Sequence, residues 1–142
     1  TFSEVFIETS RGLSKRLKAV TLVAQIYEGS EWSYQLMSSG KVVDQYINIP
    51  DYFEPASDGD LKKYRGRPEL LAKYFPGVKE SDVSKYLVRW TEDFIGANDG
   101  KKAYRGDAAR YGDAWQMLDL FEKLGFCHPV DKRGRPTGTI FR

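Results

Sequence analysis

The side chains best suited to nucleophilic or metal chemistry are scarce in this chain. It holds one cysteine, Cys127, and one histidine, His128, and neighbouring side chains on an extended strand point to opposite faces. Any Ser-His-Asp or Cys-His arrangement would have to use this one imidazole, and a zinc site needs three or four ligands. The sequence also lacks the GxxxxGK[ST], GxGxxG and HExxH motifs. We therefore expect no metal, no cofactor and no enzyme built on these residues.

Carboxylates offer the remaining route to acid–base catalysis. Five of them lie close together in the sequence: Asp44, Asp51, Glu54, Asp58 and Asp60. Two carboxylates in a cleft are enough for glycoside hydrolysis, so a carboxylate-based hydrolase is one alternative. Acids in a segment rich in Pro, Gly and Ser are usually solvated, and residues 51–60 do not match the spacing of an EF-hand calcium loop.

Aromatic side chains accompany these acids and favour contact over catalysis. The rings in question are Trp32, Tyr34, Tyr46, Tyr52 and Phe53. If aliphatic residues fill the inward face of the sheet, some of these rings must face outward beside acids, as in protein-interface hot spots. Trp32 and Phe53 are expected in the core, whereas Tyr46 and Tyr52 are expected to be reachable. The candidate protein-binding residues are Tyr46, Asp51, Tyr52 and Glu54.

Basic residues form a second candidate surface, for nucleic acid. The candidate residues are Lys101, Lys102, Arg105, Lys132, Arg133 and Arg135. Residues 133–136 (RGRP) resemble the core of AT-hook peptides, and the same tetrad at residues 65–68 is explained by a helix that begins at Pro68. The end of the sequence also resembles the last helix and wing of winged-helix DNA-binding domains, because a helix is followed by a basic turn and then by a strand-like segment. Both resemblances imply cationic contacts with phosphates or the minor groove.

Hydrophobic periodicity predicts the elements of the first half. Residues 2–9 are predicted as a strand, followed by a helix that Ser10 caps. The apolar stripe of that helix is Leu13, Leu17 and Val20. Residues 22–27 are predicted as a strand, and residues 32–47 as a β-hairpin that turns at residues 38–40.

Helices dominate the predictions for the second half, after a loop that includes residues 56–60. One helix begins at Pro68, and a second, capped by Ser81 or Asp82, has the stripe Val83, Tyr86, Leu87 and Trp90. The clearest helix covers residues 113–124, with Gly125 at its C′ position. Residues 96–112 are predicted as a long loop, and residues 126–130 and 137–141 as short strands.

These elements predict one α+β domain over residues 1–142, with a candidate subdomain junction near residues 50–60. A β-rich N-terminal part (strand, helix and three strands with a hairpin) is expected to pack on a helical C-terminal part that ends in a short hairpin. The formal net charge of +2 is too balanced to imply a polyanionic partner.

The cysteine count and the absence of long apolar runs predict a cellular location, and the candidate surfaces predict a binding function. One cysteine favours a reducing, cytoplasmic location. The first twenty residues have no apolar signal-peptide core, and no later run is long enough to span a bilayer, so we expect no membrane contact. The leading interpretation is a non-catalytic binding module that acts through a protein partner or its own copy, with nucleic-acid binding as the alternative.

Overall fold

The computed structural model describes residues 4–126. In chain order its elements are α1 (Glu4–Leu17), β1 (Val20–Tyr27), β2 (Glu31–Ser38), β3 (Lys41–Ile47), α2 (Asp58–Lys63), α3 (Pro68–Tyr74), α4 (Glu80–Val83), α5 (Glu92–Asn98) and α6 (Gln116–Lys123). A helix, an antiparallel sheet and further helices make an α+β arrangement with a β-rich N-terminal part, which confirms the predicted class. None of the helices within residues 4–126 has both the length and the apolar character needed to cross a membrane.

The three strands lie in the sheet in their chain order, and both pairs are antiparallel. The β2–β3 turn is formed by Ser39 and Gly40, whose φ angles are 50° and 82°. Two consecutive positive φ angles suit a two-residue hairpin, because this turn follows the right-handed twist of the strands. The hairpin predicted over residues 32–47 is confirmed.

The two faces of the sheet are buried by different kinds of side chain. Trp32, Tyr34 and Tyr46 lie on one face and join the hydrophobic core with the helices of the second half. On the opposite face α1 packs through two serines: Ser10 Oγ donates to Thr21 Oγ1 at 2.7 Å, and Ser14 Oγ accepts from the Gly40 N–H at 3.0 Å. The sheet therefore lies between α1 and the later helices.

The start of the chain differs from its prediction. Residues 4–9 are helical, so the predicted strand over residues 2–9 is wrong where the structure describes it, and Ser10 lies inside α1 instead of capping it. A short apolar run such as residues 5–7 fits either a strand or a helix. Spacing decides the outcome, because the more buried side chains Ile7, Ser10 and Ser14 recur at helical intervals.

Several predictions for the second half need correction. Residues 96–98 of the predicted long loop belong to α5, and the helix predicted from residue 113 begins at Gln116. The loop around residues 56–60 contains α2, whose capping box joins Ser57 and Asp60 through bonds of 3.1 Å in both directions. The stripe over residues 83–90 is not one helix, because α4 ends at Val83. Its apolar residues enter the core from an irregular segment.

Other predictions in this half hold. The helix from Pro68 is confirmed as α3. At the end of α6, Gly125 has a φ of 91° and Phe126 N–H donates to the Phe121 carbonyl at 2.9 Å, which is the Schellman ending expected for a C′ glycine. Of the terminal hairpin, residues 127–141 lie outside the described part of the chain.

Candidate functional site

Three aromatic rings meet at the surface where β1 ends and the loop after β3 begins. Tyr27 lies 5.8 Å from Tyr52 and 5.1 Å from Phe53, centroid to centroid, and the last two rings are 4.9 Å apart. All three pairs have the edge-to-face geometry that aromatic quadrupoles favour. Phe53 is 57% exposed, and Tyr27 is also exposed. We call Tyr27, Tyr52 and Phe53 the aromatic cluster.

A buried asparagine joins the two loops that carry the aromatic cluster. Asn48 Oδ1 accepts from the Trp32 N–H at 2.8 Å, and Asn48 Nδ2 donates to the Ser30 carbonyl at 3.0 Å. Asn48 thereby ties the start of the loop after β3 to the turn between β1 and β2. Because the Asn48 side chain is fully buried, these hydrogen bonds fix the backbone positions from which the aromatic cluster projects.

Acidic side chains surround the aromatic cluster. Glu28 Oε2 accepts from the Tyr52 hydroxyl at 2.9 Å, and this hydrogen bond raises the pKa of Tyr52. Asp51 pairs with Arg89 at 3.0 Å, and Glu54 is exposed on the same loop. The rim of the cluster is therefore acidic, and the cation described here, Arg89, is already paired with Asp51.

A cavity of about 530 Å³ opens beside the cluster, and Phe53 is part of its wall. We call it the acidic cavity. Its acids are Glu31, Glu54 and Asp60. Its aromatic walls include Phe53 and Tyr64, and its aliphatic walls include Ile7, Ile47, Pro50 and Pro55. Among the described residues that line it there is no lysine and no arginine.

The deepest acid of this cavity is Glu31, which is only 4% exposed. Burial raises the pKa of its carboxyl group, because a charged carboxylate loses hydration there. Within residues 4–126 no side chain or backbone group forms a hydrogen bond or an ion pair with the Glu31 carboxylate. Asp60, by contrast, accepts from Ser57, and that hydrogen bond lowers its pKa.

A second cavity of about 410 Å³ has the opposite charge. Its cations are Lys62, Lys63, Arg65 and Arg67, and we call it the basic cavity. Among the described residues that line it, the one acid is Asp44. Asp44 is buried and accepts from the Tyr34 hydroxyl at 2.7 Å and from the Arg67 N–H at 3.0 Å. Arg67 Nε lies 3.5 Å from the other carboxylate oxygen. Burial still raises the pKa of Asp44, and these contacts partly offset the shift.

The structure changes the predicted protein-binding set. Asp51, Tyr52 and Glu54 lie together, but Tyr46 is buried and its hydroxyl donates to the Val88 carbonyl at 2.8 Å, so its predicted accessibility is wrong. The reason is register: Tyr46 pairs with Tyr34 on the core face of the sheet. Phe53, expected in the core, is exposed. Tyr27 was missed, although its place before Glu28-Gly29 at a strand end is a signal for exposure.

Three of the five acids considered for hydrolysis make structural contacts with described residues. Asp44 is bound by Tyr34 and Arg67, Asp51 by Arg89, and Asp60 by Ser57. Asp58 and Glu54 are exposed. In this arrangement, three of the acids already have partners that compete with a substrate for the carboxylate oxygens.

The candidate nucleic-acid residues of the long loop are at the surface. Lys101, Lys102 and Arg105 are exposed. The loop is held in place by two buried carboxylates: Asp107 accepts from the Tyr86 hydroxyl at 2.6 Å, and Asp119 accepts from the Ala109 N–H at 2.8 Å. The other members of the set (Lys132, Arg133 and Arg135) lie outside the described residues, as do Cys127 and His128.

An apolar groove of about 750 Å³ runs between α1 and β1. The exposed apolar side chains Phe6 and Leu13 form one wall, Phe126 contributes to the lining, and β1 supplies the floor. Because α1 packs through Ser10 and Ser14, the leucine stripe predicted to be its buried face is left largely exposed.

The described residues contain no group of three or more His, Cys, Asp or Glu side chains placed to hold a metal ion. Comparison of the chain with protein-family models, curated proteins and solved structures finds no match. The geometry of the aromatic cluster and of the cavities is therefore the basis for a functional proposal.

Proposed function

We propose that this chain is a non-catalytic binding module that recognises a protein partner through the aromatic cluster and its acidic rim. The partner would present an apolar surface edged by basic side chains, since the rim carries Glu28, Asp51 and Glu54. A cytoplasmic location accompanies the proposal and is supported by the single cysteine in the sequence.

The exposed aromatic cluster is the observation that carries this proposal. Aromatic side chains provide much of the binding energy in protein interfaces, particularly where neighbouring contacts exclude water. Mutual contacts within 5.8 Å already restrict the rings, so binding would cost less side-chain entropy than for isolated rings. Phe53, as the most exposed ring of the three, is the proposed anchor.

The acidic rim would contribute orientation and association rate more than affinity. Charges at an interface rim attract a complementary partner and disfavour a like-charged one. Asp51 is held by Arg89 at 3.0 Å, so this part of the rim is preorganised. The rate of association with a basic partner should therefore fall as ionic strength rises.

The test is quantitative affinity capture from cell extract with immobilised wild-type chain, Tyr52→Ala and Phe53→Ala. Trp115→Ala is the matched control, because Trp115 is an exposed aromatic residue outside the cluster (53% exposed). We expect one protein set to be retained by the wild type and Trp115→Ala and lost with both cluster variants. Equal capture by all four folded chains would contradict the proposal.

Nucleic-acid binding is a second candidate function, supported by exposed Lys101, Lys102 and Arg105 and by the cations of the basic cavity. It predicts affinity for duplex or single-stranded nucleic acid that falls steeply with salt. A charge-removing triple substitution of the three loop residues should weaken that binding. A wild-type chain that does not bind either form at low salt would rule out this alternative.

A further inference from the structure

The outer edge of β1 is open among the described residues. β1 is the first strand of the sheet, and within residues 4–126 no strand pairs with the edge that faces away from β2. Its sequence (VTLVAQIY) contains no charged residue and no proline, and its pairing with β2 has no bulge. Charges, prolines and bulges are the features by which proteins keep an edge strand from pairing with another chain. β1 is therefore an eight-residue edge that can accept a further strand.

Exposed apolar side chains are concentrated beside this edge. Of the nine large hydrophobic side chains that are exposed within residues 4–126, four lie on α1: Val5, Phe6, Leu13 and Leu17. A fifth, Phe126, lines the apolar groove along β1 together with Phe6 and Leu13. Apolar side chains that are exposed together in this way indicate a surface for protein contact.

The extent of this surface suits a folded protein partner. A standard protein interface buries about 800 Å² on each partner, from roughly 20–30 residues. The eight residues of β1 and the exposed face of the 14-residue helix α1 are of that order. A small ligand would leave most of the exposed stripe of α1 uncovered.

A second copy of the chain is complementary to this surface. Two β1 strands related by a two-fold axis perpendicular to the sheet run antiparallel, and an uncharged strand meets its own copy without opposing like charges. The same axis sets the two α1 helices antiparallel on one face of the sheet. Because α1 is acidic in its first turn (Glu4) and basic in its last (Lys15 and Arg16), the acidic end of each helix would lie nearest to the basic end of the other.

We propose that two copies of this chain associate through their β1 strands, which pair antiparallel and join the two three-stranded sheets into one. The exposed stripe of each α1, with Phe6, Leu13 and Leu17, packs against the stripe of the other copy. The contact uses the same surface on both copies, so the assembly closes at the dimer.

The dimer would carry two aromatic clusters. Tyr27 ends β1, so antiparallel pairing over the full strand would place the two clusters at opposite ends, roughly 25 Å apart for eight residues. This consequence rests on the proposed function. A partner with two matching surfaces would bind the dimer with greater avidity than it binds one copy.

The test is sedimentation velocity of the full chain, without any partner, over a series of micromolar concentrations. We expect a reversible equilibrium between monomer and dimer. Phe6→Glu and Leu13→Glu each place a charge in the contact and should raise the dissociation constant by at least about tenfold, as for the loss of an apolar contact in an interface. Both side chains are exposed in the single chain (67% and 48%), so both variants should fold. Trp115→Glu is the matched control, because Trp115 is comparably exposed (53%) and lies on neither α1 nor β1.

Hydrogen–deuterium exchange tests whether the contact runs through the strand. Alternate amides of β1 point away from β2. These amides should exchange slowly at concentrations above the dissociation constant and rapidly below it, because only the dimer gives them hydrogen-bond acceptors.

Three results would overturn the dimer proposal. The first is a chain that stays monomeric throughout the series, and the second is a dimer that Phe6→Glu and Leu13→Glu both leave intact. The third is protection of the β1 amides that does not depend on concentration, because the edge would then be covered within one chain. A dimer together with unchanged partner capture by Phe53→Ala would support the strand pairing and contradict the proposed function. A monomeric chain whose partner capture is lost with Phe53→Ala would do the reverse.

Discussion

Gln45 lines both the acidic and the basic cavity, and α2 contributes Asp60 to the first and Lys62 and Lys63 to the second. Each contains a buried carboxylate, but the two carboxylates differ in their surroundings. Asp44 in the basic cavity is bound by Tyr34 and Arg67, whereas Glu31 in the acidic cavity has no partner within residues 4–126. The buried carboxylate of the basic cavity is hydrogen bonded, whereas that of the acidic cavity forms no hydrogen bond or ion pair with a described residue.

This contrast shows why charge totals say little about function. The formal net charge is +2, yet two neighbouring cavities of opposite sign occur on one surface. The cations of the basic cavity are exposed and hydrated, so they cost little without a partner. A buried carboxylate such as Glu31 loses hydration, so its charge costs more.

The largest expected effect is the loss of stability on substituting Asp44. In Asp44→Ala the buried Tyr34 hydroxyl and the Arg67 N–H both lose their acceptor. We expect the free energy of unfolding to fall by about 2–3 kcal/mol, because a buried hydrogen-bond donor left without its acceptor loses its hydration uncompensated. Urea denaturation measures this, with exposed Asp58→Ala as control. A loss below about 1 kcal/mol would show that the two cavities do not differ as described.

Substitution of Phe53 should weaken partner binding without unfolding the chain. Phe53→Ala removes the proposed anchor, and the affinity for the partner should fall by about 2 kcal/mol, the usual threshold of a hot spot. Because Phe53 is exposed, the free energy of unfolding should change by less than about 0.5 kcal/mol. Titration calorimetry and urea denaturation measure the two quantities. A loss of stability as large as the loss of affinity would place Phe53 among the structural residues.

Glu31→Gln should stabilise the fold by roughly 1 kcal/mol at neutral pH, because it removes a buried charge and keeps the side-chain shape. The folded-state pKa of Glu31 lies above the ordinary value of 4.5. The stabilising contribution of Glu31 to the free energy of unfolding is therefore fully present below its unfolded-state pKa. It is lost as the pH rises through its folded-state pKa. The difference in unfolding free energy between variant and wild type should grow from acidic to neutral pH. A constant difference across that range would contradict this assignment.

The smallest effect is expected in the basic cavity. Lys62→Ala and Lys63→Ala remove exposed charges that form no ion pair with a described residue. Each substitution should change the free energy of unfolding by no more than about 0.5 kcal/mol. Thermal denaturation at matched ionic strength checks this. A loss of more than about 1 kcal/mol would mean that these lysines have a structural partner.

Local sequence patterns predicted part of the fold well, for physical reasons. The hairpin combines a period-2 pattern with Gly40 in a tight turn, and the end of α6 combines an apolar stripe with Gly125. Both signals depend only on residues that are close together in the sequence. The exposure of Tyr46 was predicted wrongly because alternation shows that two faces differ, but not which face meets the helices.

The candidate site was only partly predictable. Asp51, Tyr52 and Glu54 are close in sequence and remain close in space. Glu31 begins β2 and Tyr27 ends β1, so only the folded loops bring them to the residues after β3. The face of α1 was also assigned wrongly, since two serines bury more completely than the leucines when they hydrogen bond to the sheet.

The most direct test of a contact function is hydrogen–deuterium exchange of the chain with and without the captured partner. Binding through the aromatic cluster and its acidic rim should protect residues 27–31 and 50–56 and leave residues 101–110 unchanged. Protection confined to the α1–β1 groove or to residues 101–110, with residues 27–31 and 50–56 unaffected, would contradict it.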